Sequence, residues 1–406
     1  FATITAGLAA LPTTLTGHSC VVIRDGATYI EQVTVANFTN NGSSITIMGD
    51  PASSTVTPRV NPPGLSAAAF RIMNSSVNLI GIDVMPLAGV TYGISVTSPN
   101  VTISSVIVYD PFGSISQAGI SLSSWATVSY TSVTVANAIA FWLQGTNTTV
   151  SYSSASNTTP GGNAAVQLTG ASSNTLTNLW ARNASGIAVL FDGGGGNTVS
   201  QSSFTSQNSA ALYLSGSATN TISGTWMSSS GGWGLRLESS NRNIISQSTA
   251  VSNGPAIYGL YLNNSSSNSI SGVFASNPSG YGAYLFGSSS NTISLSTITS
   301  ASGGDPALYI TNGGSNTITG SYMGNSSASG VGAYFFNTSS NTLSQSTVAG
   351  GANTYGLRLV GASGNQIVNS NFIAGAQLTS TSNDNVITGS TFTHNSGVNY
   401  ALLIID

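Results

Sequence analysis

Along most of the chain, apolar and polar residues alternate in short bursts that return at a fixed interval. One burst reads GLRLESS (234–240), GLYLNNS (259–265), ALYITNG (307–313) and GLRLVGA (356–362), with an apolar side chain at every second position. The next burst reads SSNTLT, GGNTVS, ATNTIS, NRNIIS, SSNSIS, SSNTIS, GSNTIT, SSNTLS and SGNQIV. A period of two in runs rich in Val, Ile, Thr and Ser predicts strands, and the Gly and Asn residues between bursts predict turns. The asparagines of the second phrase are Asn174, Asn197, Asn220, Asn243, Asn268, Asn291, Asn316, Asn341 and Asn365, a step of 23 to 25 residues. Weaker copies run backwards through Val150, Val128, Ile103 and Ile80 and forwards through Asn385.

A sustained period of this length predicts a solenoid. Two or three short strands per unit, almost no helix-length segment and Gly or Asn at the corners predict an all-β chain wound as a parallel β-helix (β-solenoid) of about fifteen coils. At about 4.8 Å per stacked strand its length would be roughly 70 Å. The phrase N-T-I-S-x-S-x-apolar, repeated once per coil from about Val77 to Phe392, resembles the right-handed parallel β-helix repeats of the pectin-lyase-like superfamily. The resemblance implies a right-handed β-solenoid. It carries no single activity, because that architecture hosts lyases, hydrolases, adhesins and structural fibres.

Stacking turns each phrase position into a column. The asparagines are expected to form a corner ladder in left-handed backbone geometry, their amides bonding from coil to coil. Two residues on, Leu176, Val199, Ile222, Ile245, Ile270, Ile293, Ile318, Leu343 and Ile367 are expected to point inward, as are Phe204, Met227, Ile298, Met323, Val348 and Phe372. Residues 1–406 read as one domain: a cap over 1–20 with a short helix at Ile4–Leu11, a loop insertion at 51–64, and a final strand at 398–406 with no lid. The apolar ends Phe1, Leu402, Leu403, Ile404 and Ile405 are therefore expected to assemble copies head to tail into a filament. A start at Phe1 rather than Met suggests a processed product or a segment of something longer.

Composition narrows the classes. The chain holds 7 Arg, no Lys and 10 Asp or Glu, so 4% of it is charged and its net charge is −3. A nucleic-acid partner is excluded by so few cations, and a polybasic membrane-surface role is disfavoured. No apolar run is long enough to span a bilayer as a helix. The 40% of apolar residues suffices for a core, so disorder is also disfavoured. A surface this poor in charge is expected to meet protein, glycan or solid rather than water alone, which points to an extracellular or cell-surface location.

Candidate chemistry is sparse. A lyase of the resembling superfamily implies several acids converging on Ca²⁺ beside an Arg or Lys base, and a hydrolase implies a tight cluster of Asp. Here Asp83, Asp110, Asp192, Glu238, Asp305 and Asp384 mostly fall in separate coils and columns. Asp192 and Glu238 each stand five residues before a ladder asparagine, and as a catalytic pair two coils apart they would be about 9–10 Å from each other. The blander reading pairs Glu238 with Arg236 and leaves Asp192 as a turn residue. His18 and His394 lie near opposite ends of the sequence, and Cys20 reads as a buried small hydrophobe in SCVVI. No metal site and no cofactor is expected.

Two outward columns are candidates for ligand binding or self-association. One is Tyr213, Arg236, Tyr261, Tyr284, Tyr309, Tyr334 and Arg358. The other is Trp180, Trp226, Phe274 and Tyr322, recurring every second coil with Ser203, Thr249, Thr297 and Thr347 between. Aromatic rows stack on sugar rings, and they also pack rod on rod or on each other. A third array flanks the inward aliphatics: Thr175 and Thr177, Thr198 and Ser200, Thr221 and Ser223, Thr292 and Ser294, Thr317 and Thr319, Thr342 and Ser344. It is similar to that of ice-binding β-solenoids, although β-propensity alone explains Thr there. The sequons at Asn37, Asn100, Asn147, Asn183 and Asn264 would allow glycans to solubilise the surface. The sequence thus reads as an extracellular structural or adhesive rod, with itself and glycans as partners. A carbohydrate-active enzyme or glycan-binding module is the alternative, and an ice-binding protein a further one.

Overall fold

The computed structural model describes residues 1–50, 52, 57–159, 162–394 and 400–405. The chain forms two compact units, Phe1–Ser203 and Phe204–Asp406. Both are parallel β-helices in which each coil contributes three short strands, and among the described residues each of the three strand positions occurs sixteen times. In the first unit the first strands run from Ser19–Ile23 to Thr198–Ser200, the second from Thr28–Tyr29 to Trp180–Asn183, and the third from Val33–Val35 to Val189–Asp192. In the second unit they run from Thr221–Ser223 to Val386–Thr388, from Trp226–Ser229 to Thr391–Thr393 and from Leu212–Ser215 to Leu402–Ile405. The strand Ser203–Ser206 falls at the division.

Among the described residues the strands pair parallel, and in the second unit like residues meet in register. In the second unit Ile270, Ile293, Ile318, Leu343 and Ile367 are consecutive partners on the first sheet. Each is essentially inaccessible to solvent. Leu212, Leu235 and Leu260 do the same on the third sheet. The interior is therefore a set of aliphatic and Phe columns rather than one central cluster, and each coil buries its apolar face mainly against its neighbours.

Polar columns close the corners. Asn291 illustrates the ladder: its Oδ1 accepts from the backbone N–H of Asn268 (2.8 Å) and from Asn268 Nδ2 (3.0 Å). Its own Nδ2 donates to Asn316 Oδ1 (3.1 Å) and to the carbonyl of Ser265 (3.0 Å). The amide thus uses all its bonding capacity within a buried corner. These asparagines do not take the left-handed geometry expected of them. The residue before each one does, with φ of 55° to 59° at Ser173, Thr219, Arg242, Ser267, Ser290, Ser315 and Ser340. The asparagine must already run with its strand for its amide to point along the stack, so the turn is made one residue earlier.

Two further polar columns were not anticipated. Ser296, Ser321 and Ser346 each accept the backbone N–H of the residue one coil before and donate to a carbonyl two residues back. At the end of the second strand, Asp110, Asn157, Asn183, Ser252, Asn277 and Asn325 are buried and bind the backbone of the following turn or of the preceding coil.

At the N-terminus the helix α1 (Ile4–Ala9) is capped by Thr3, whose side chain accepts from the Ala6 N–H at 3.0 Å. Glu31 adds its carboxylate, accepting from the N–H groups of Ile4 (2.8 Å) and Thr5 (3.0 Å), where a negative charge suits the helix start. Ile4 and Leu8 are buried, and Gly7 lies so near Val21 that a Cβ would sit 2.9 Å from its Cγ1. Three expectations need correction. Cys20 is exposed, because the strand Ser19–Ile23 turns Val21 and Ile23 to the inner side and Cys20 and Val22 outward. The inward residue of the copy placed at Ile80 is Leu79, which pairs with Ile103. Within 51–64, expected to be a loop insertion, Arg59–Val60 is a second-position strand between Thr28–Tyr29 and Asp83–Val84, and Pro51 and Ser53 to Val56 lie outside the described residues. Of 398–406, Leu402–Ile405 pairs with Ala376–Thr379, and 398, 399 and 406 lie outside the described residues.

Candidate functional site

The two aromatic columns differ in geometry. On the third sheet of the second unit, Tyr261, Tyr284, Tyr309 and Tyr334 stack face to face, with centroids 5.6, 4.9 and 5.1 Å apart in succession. Tyr258 and Tyr281 widen the stack, Tyr258 lying 4.6 Å from Tyr261 and Tyr281 5.5 Å from Tyr284. Guanidinium groups lie against rings near both ends of the column: Arg236 is 4.5 Å from the Tyr213 ring and 4.6 Å from Trp233, and Arg358 is 5.2 Å from Tyr334. All these tyrosines are half-buried. Their faces are occupied by one another or by Arg, so what remains for solvent is mainly edges and hydroxyls. Burial raises the proton affinity of the phenols of Tyr258, Tyr261, Tyr281, Tyr284 and Tyr309 above the ordinary value.

Glu238 anchors the start of this column. Its Oε2 accepts from Tyr213 Oη and from Arg236 Nη2 (2.6 Å), and its Oε1 accepts from Asn263 Nδ2 (3.2 Å). The Tyr213 hydrogen bond, helped by Arg236 and Asn263, lowers its pKa against the opposing effect of burial. A carboxylate held ionised by three donors is a poor general acid. Asp192 is exposed at the end of Val189–Asp192 in the first unit, where its register partner is Thr169.

The second-sheet column is built otherwise. Trp226, Phe274 and Tyr322 belong to the second unit and are 49%, 41% and 41% exposed. Thr249 and Thr297 are their partners on the intervening strands. Consecutive rings are therefore two strands apart, about 9.6 Å, and do not stack. Two residues after each ring, on the same face, stand Ser228, Ser276 and Gly324. At Gly324 the consequence is visible: the residue is buried, and a Cβ there would overlap the Tyr322 ring, which lies down along its own strand. The strands Trp226–Ser229, Thr249–Ser252, Phe274–Asn277, Thr297–Ser300, Tyr322–Asn325 and Thr347–Ala349 carry no charged residue. Trp180, in the first unit, is 42% exposed beside Ser154.

The remaining candidates are dispersed. His18 is exposed and bonded to Ser44. His394 is exposed, Asp110 caps the Ser114–Ile115 turn from a buried position, and Asp305 accepts from Ser302. Among the described residues no three of His, Cys, Asp and Glu gather as a metal site would need, and no helix is long and apolar enough to cross a membrane. The Thr and Ser array of the first sheet is half-exposed but interrupted by Ile244, Gln366 and Val386. Asn37, Asn100, Asn147 and Asn264 are exposed, whereas Asn183 is wholly buried, its amide donating to the carbonyls of Asn163 and Ile187. The Asn183 sequon is thus closed to modification in the folded chain. Phe1, Leu402, Ile404 and Ile405 are exposed.

Stacked three-strand coils with inward aliphatic columns and an asparagine ladder define a parallel β-helix protein. The particular family follows from the sequence match: residues 137–298 and 258–405 fit the right handed beta helix region, and the chain belongs to that family. No curated protein matches it. Solved structures similar to it include the Dettilon tailspike protein, at 13% identity and TM-score 0.48 over 77% of this chain. The match spans 62% of that tailspike. Others are the DFA-IIIase of Arthrobacter chlorophenolicus A6 without its lid (12%, TM-score 0.44, 90% of this chain and 88% of that one) and the tailspike protein of E. coli bacteriophage HK620 in complex with a pentasaccharide (11%, 0.44, 86% and 72%).

Proposed function

We propose that this protein is a non-catalytic, extracellular or cell-surface β-helix that adheres to a neutral linear polysaccharide through the Trp226, Phe274 and Tyr322 row. The observation that supports this reading is the alternation of exposed, unstacked rings with Thr on a sheet face free of charge. Ring faces offered at about 9.6 Å, close to the length of a disaccharide, suit a chain lying along the stack with alternate sugars on rings. An anionic polymer would find no cation on these strands. Retention on insoluble cellulose and chitin, compared with soluble alginate and pectate, tests the reading. The expected result is retention on a neutral polymer that persists in high salt and weakens severalfold for each of Trp226→Ala, Phe274→Ala and Tyr322→Ala, while Tyr284→Ala leaves it intact. Failure of the neutral polymers to retain the protein, or equal loss with Tyr284→Ala, refutes it.

Head-to-tail self-association is a second reading. Leu402, Ile404 and Ile405 are exposed on a strand paired along one edge with Ala376–Thr379, and a second copy or further chain would cover them. Light scattering over a concentration series separates an elongating species from a fixed one.

A further inference from the structure

We propose that a cleft on the outward face of the second sheet of the first unit, formed by Arg59, Asp83, Met85, Ile107 and Tyr109, binds a single neutral pyranose, such as the end residue of a glycan. The site lies in the other unit from the aromatic row and stands whether or not that row binds polymer.

Arg59, Asp83 and Ile107 are register partners on three successive strands, and Met85 and Tyr109 follow two residues on, so all five side chains leave the same face. They line one cleft together with Val84. Its walls are apolar and open: Ile107 is 47% and Tyr109 43% exposed. Its floor is an Asp83 carboxyl whose Oδ1 is buried and has no hydrogen-bond partner. A dry, unpaired carboxylate oxygen is costly, and surface acids normally avoid it. Burial raises the proton affinity of this carboxyl in spite of Arg59, which acts in the opposite direction. Arg59 is itself exposed, and the ion pairs of the described residues are Arg24 with Asp50 and Arg236 with Glu238, so the guanidinium is free for another acceptor.

The ligand class follows from these groups. An anion drawn to Arg59 would also face the Asp83 carboxylate, its register partner on the next strand, so the pair leaves no net positive charge to favour it. A divalent cation needs six or more oxygen ligands, and the cleft offers a single carboxylate. What fits is a neutral molecule with a donor for Asp83 Oδ1, an acceptor within reach of Arg59 and a C–H face for Ile107 and Tyr109. A pyranose has this combination, since each hydroxyl both donates and accepts and the ring presents an apolar side.

The test uses the full chain with methyl β-D-glucopyranoside, methyl β-D-galactopyranoside and methyl α-D-mannopyranoside as probes and glucuronate as the charged control, by saturation-transfer NMR and calorimetry. At least one neutral glycoside is expected to bind in the millimolar range, and glucuronate more weakly. Asp83→Ala and Tyr109→Ala should each lose about tenfold in affinity, with Trp226→Ala unchanged. The isosteric Asp83→Asn separates a ligand site from a structural role, because it should weaken binding while raising Tm at neutral pH by removing the dry charge. Absence of binding by all three glycosides overturns the proposal, as does an Asp83→Asn variant that binds as the wild type does.

Discussion

Replacing Asn291 by alanine tests whether the asparagine ladder, rather than the aliphatic columns alone, holds the coils in register. The substitution removes four hydrogen bonds at once. The backbone N–H of Asn268 loses the acceptor it has in a buried corner. Two of the other partners keep alternatives, since Asn268 Nδ2 still donates to the Ser240 carbonyl and Asn316 Oδ1 still accepts from the Asn291 N–H, while the Ser265 carbonyl loses its Asn291 donor. One orphaned buried N–H costs about 1–3 kcal/mol and each of the other three lost bonds about 1 kcal/mol, so a loss of about 4–6 kcal/mol is expected. Asn291→Asp should cost more at neutral pH. It keeps the acceptor but sets a buried carboxylate against Asn316 Oδ1 and the Ser265 carbonyl, where the amide had donated. In a stack governed by nearest neighbours the damage stays near the mutated coil. Urea unfolding followed by circular dichroism gives the magnitude, and amide exchange should show lost protection around Asn268 and Asn316 with distant coils unaltered. If both variants unfold within about 1 kcal/mol of the wild type, the ladder is incidental and packing alone sets the register.

Two further outcomes follow. Gly324→Val should lift the Tyr322 ring off its strand, reducing retention on the neutral polymer as far as Tyr322→Ala does while the unfolding midpoint changes little; unaltered retention would mean the flat ring is irrelevant. The half-buried phenols of Tyr261, Tyr281, Tyr284 and Tyr309 have raised folded-state pKa values, so their contribution to stability is complete below the ordinary phenol value of about 10 and is lost as pH rises through the folded values. Phenolate absorbance from this group should therefore appear together with loss of the circular dichroism signal, and titration near pH 10 with the fold intact would contradict the stack.

How much was legible in the sequence depended on whether a residue's role repeats. Ile270 and Ile293 could be placed because the same phrase recurs at a fixed step, and a column is inferred from its period without any knowledge of three-dimensional contacts. The left-handed corner was misassigned because Asn is the usual non-glycine residue there, while the actual requirement, an inward amide, fixes Asn directly before its strand and leaves Ser, Thr, Arg or Gly to make the turn. Cys20 and Ile80 were misplaced for a related reason. Both lie where the repeat is weak, and an alternating strand read one position out of phase exchanges its inner and outer faces. The Asp83 cleft had no signature, since it joins residues from three coils that share no phrase. The buried polar column at Asn157, Asn183, Asn277 and Asn325 could have been found, because each closes a second strand three residues after the first outward position.

The contrast between the two aromatic columns shows where function can reside in a fold of this kind. Inward positions are committed, because every coil needs the same volume and the same corner bonds as its neighbours. Outward positions are free, but only if their side chains do not satisfy one another. Rings on every successive strand, as from Tyr261 to Tyr334, come within stacking distance and use their faces internally, which stiffens the third sheet and withdraws them from recognition. Placing a Thr between rings doubles the spacing, breaks the internal stack and leaves each ring a free side, as at Trp226, Phe274 and Tyr322. Inserting a ring into the gaps should then convert one column into the other. The pair Thr249→Tyr with Thr297→Tyr is predicted to stabilise the second unit and to abolish polymer retention, although it adds aromatic surface. A gain in retention would show that the amount of aromatic surface, not its spacing, governs binding.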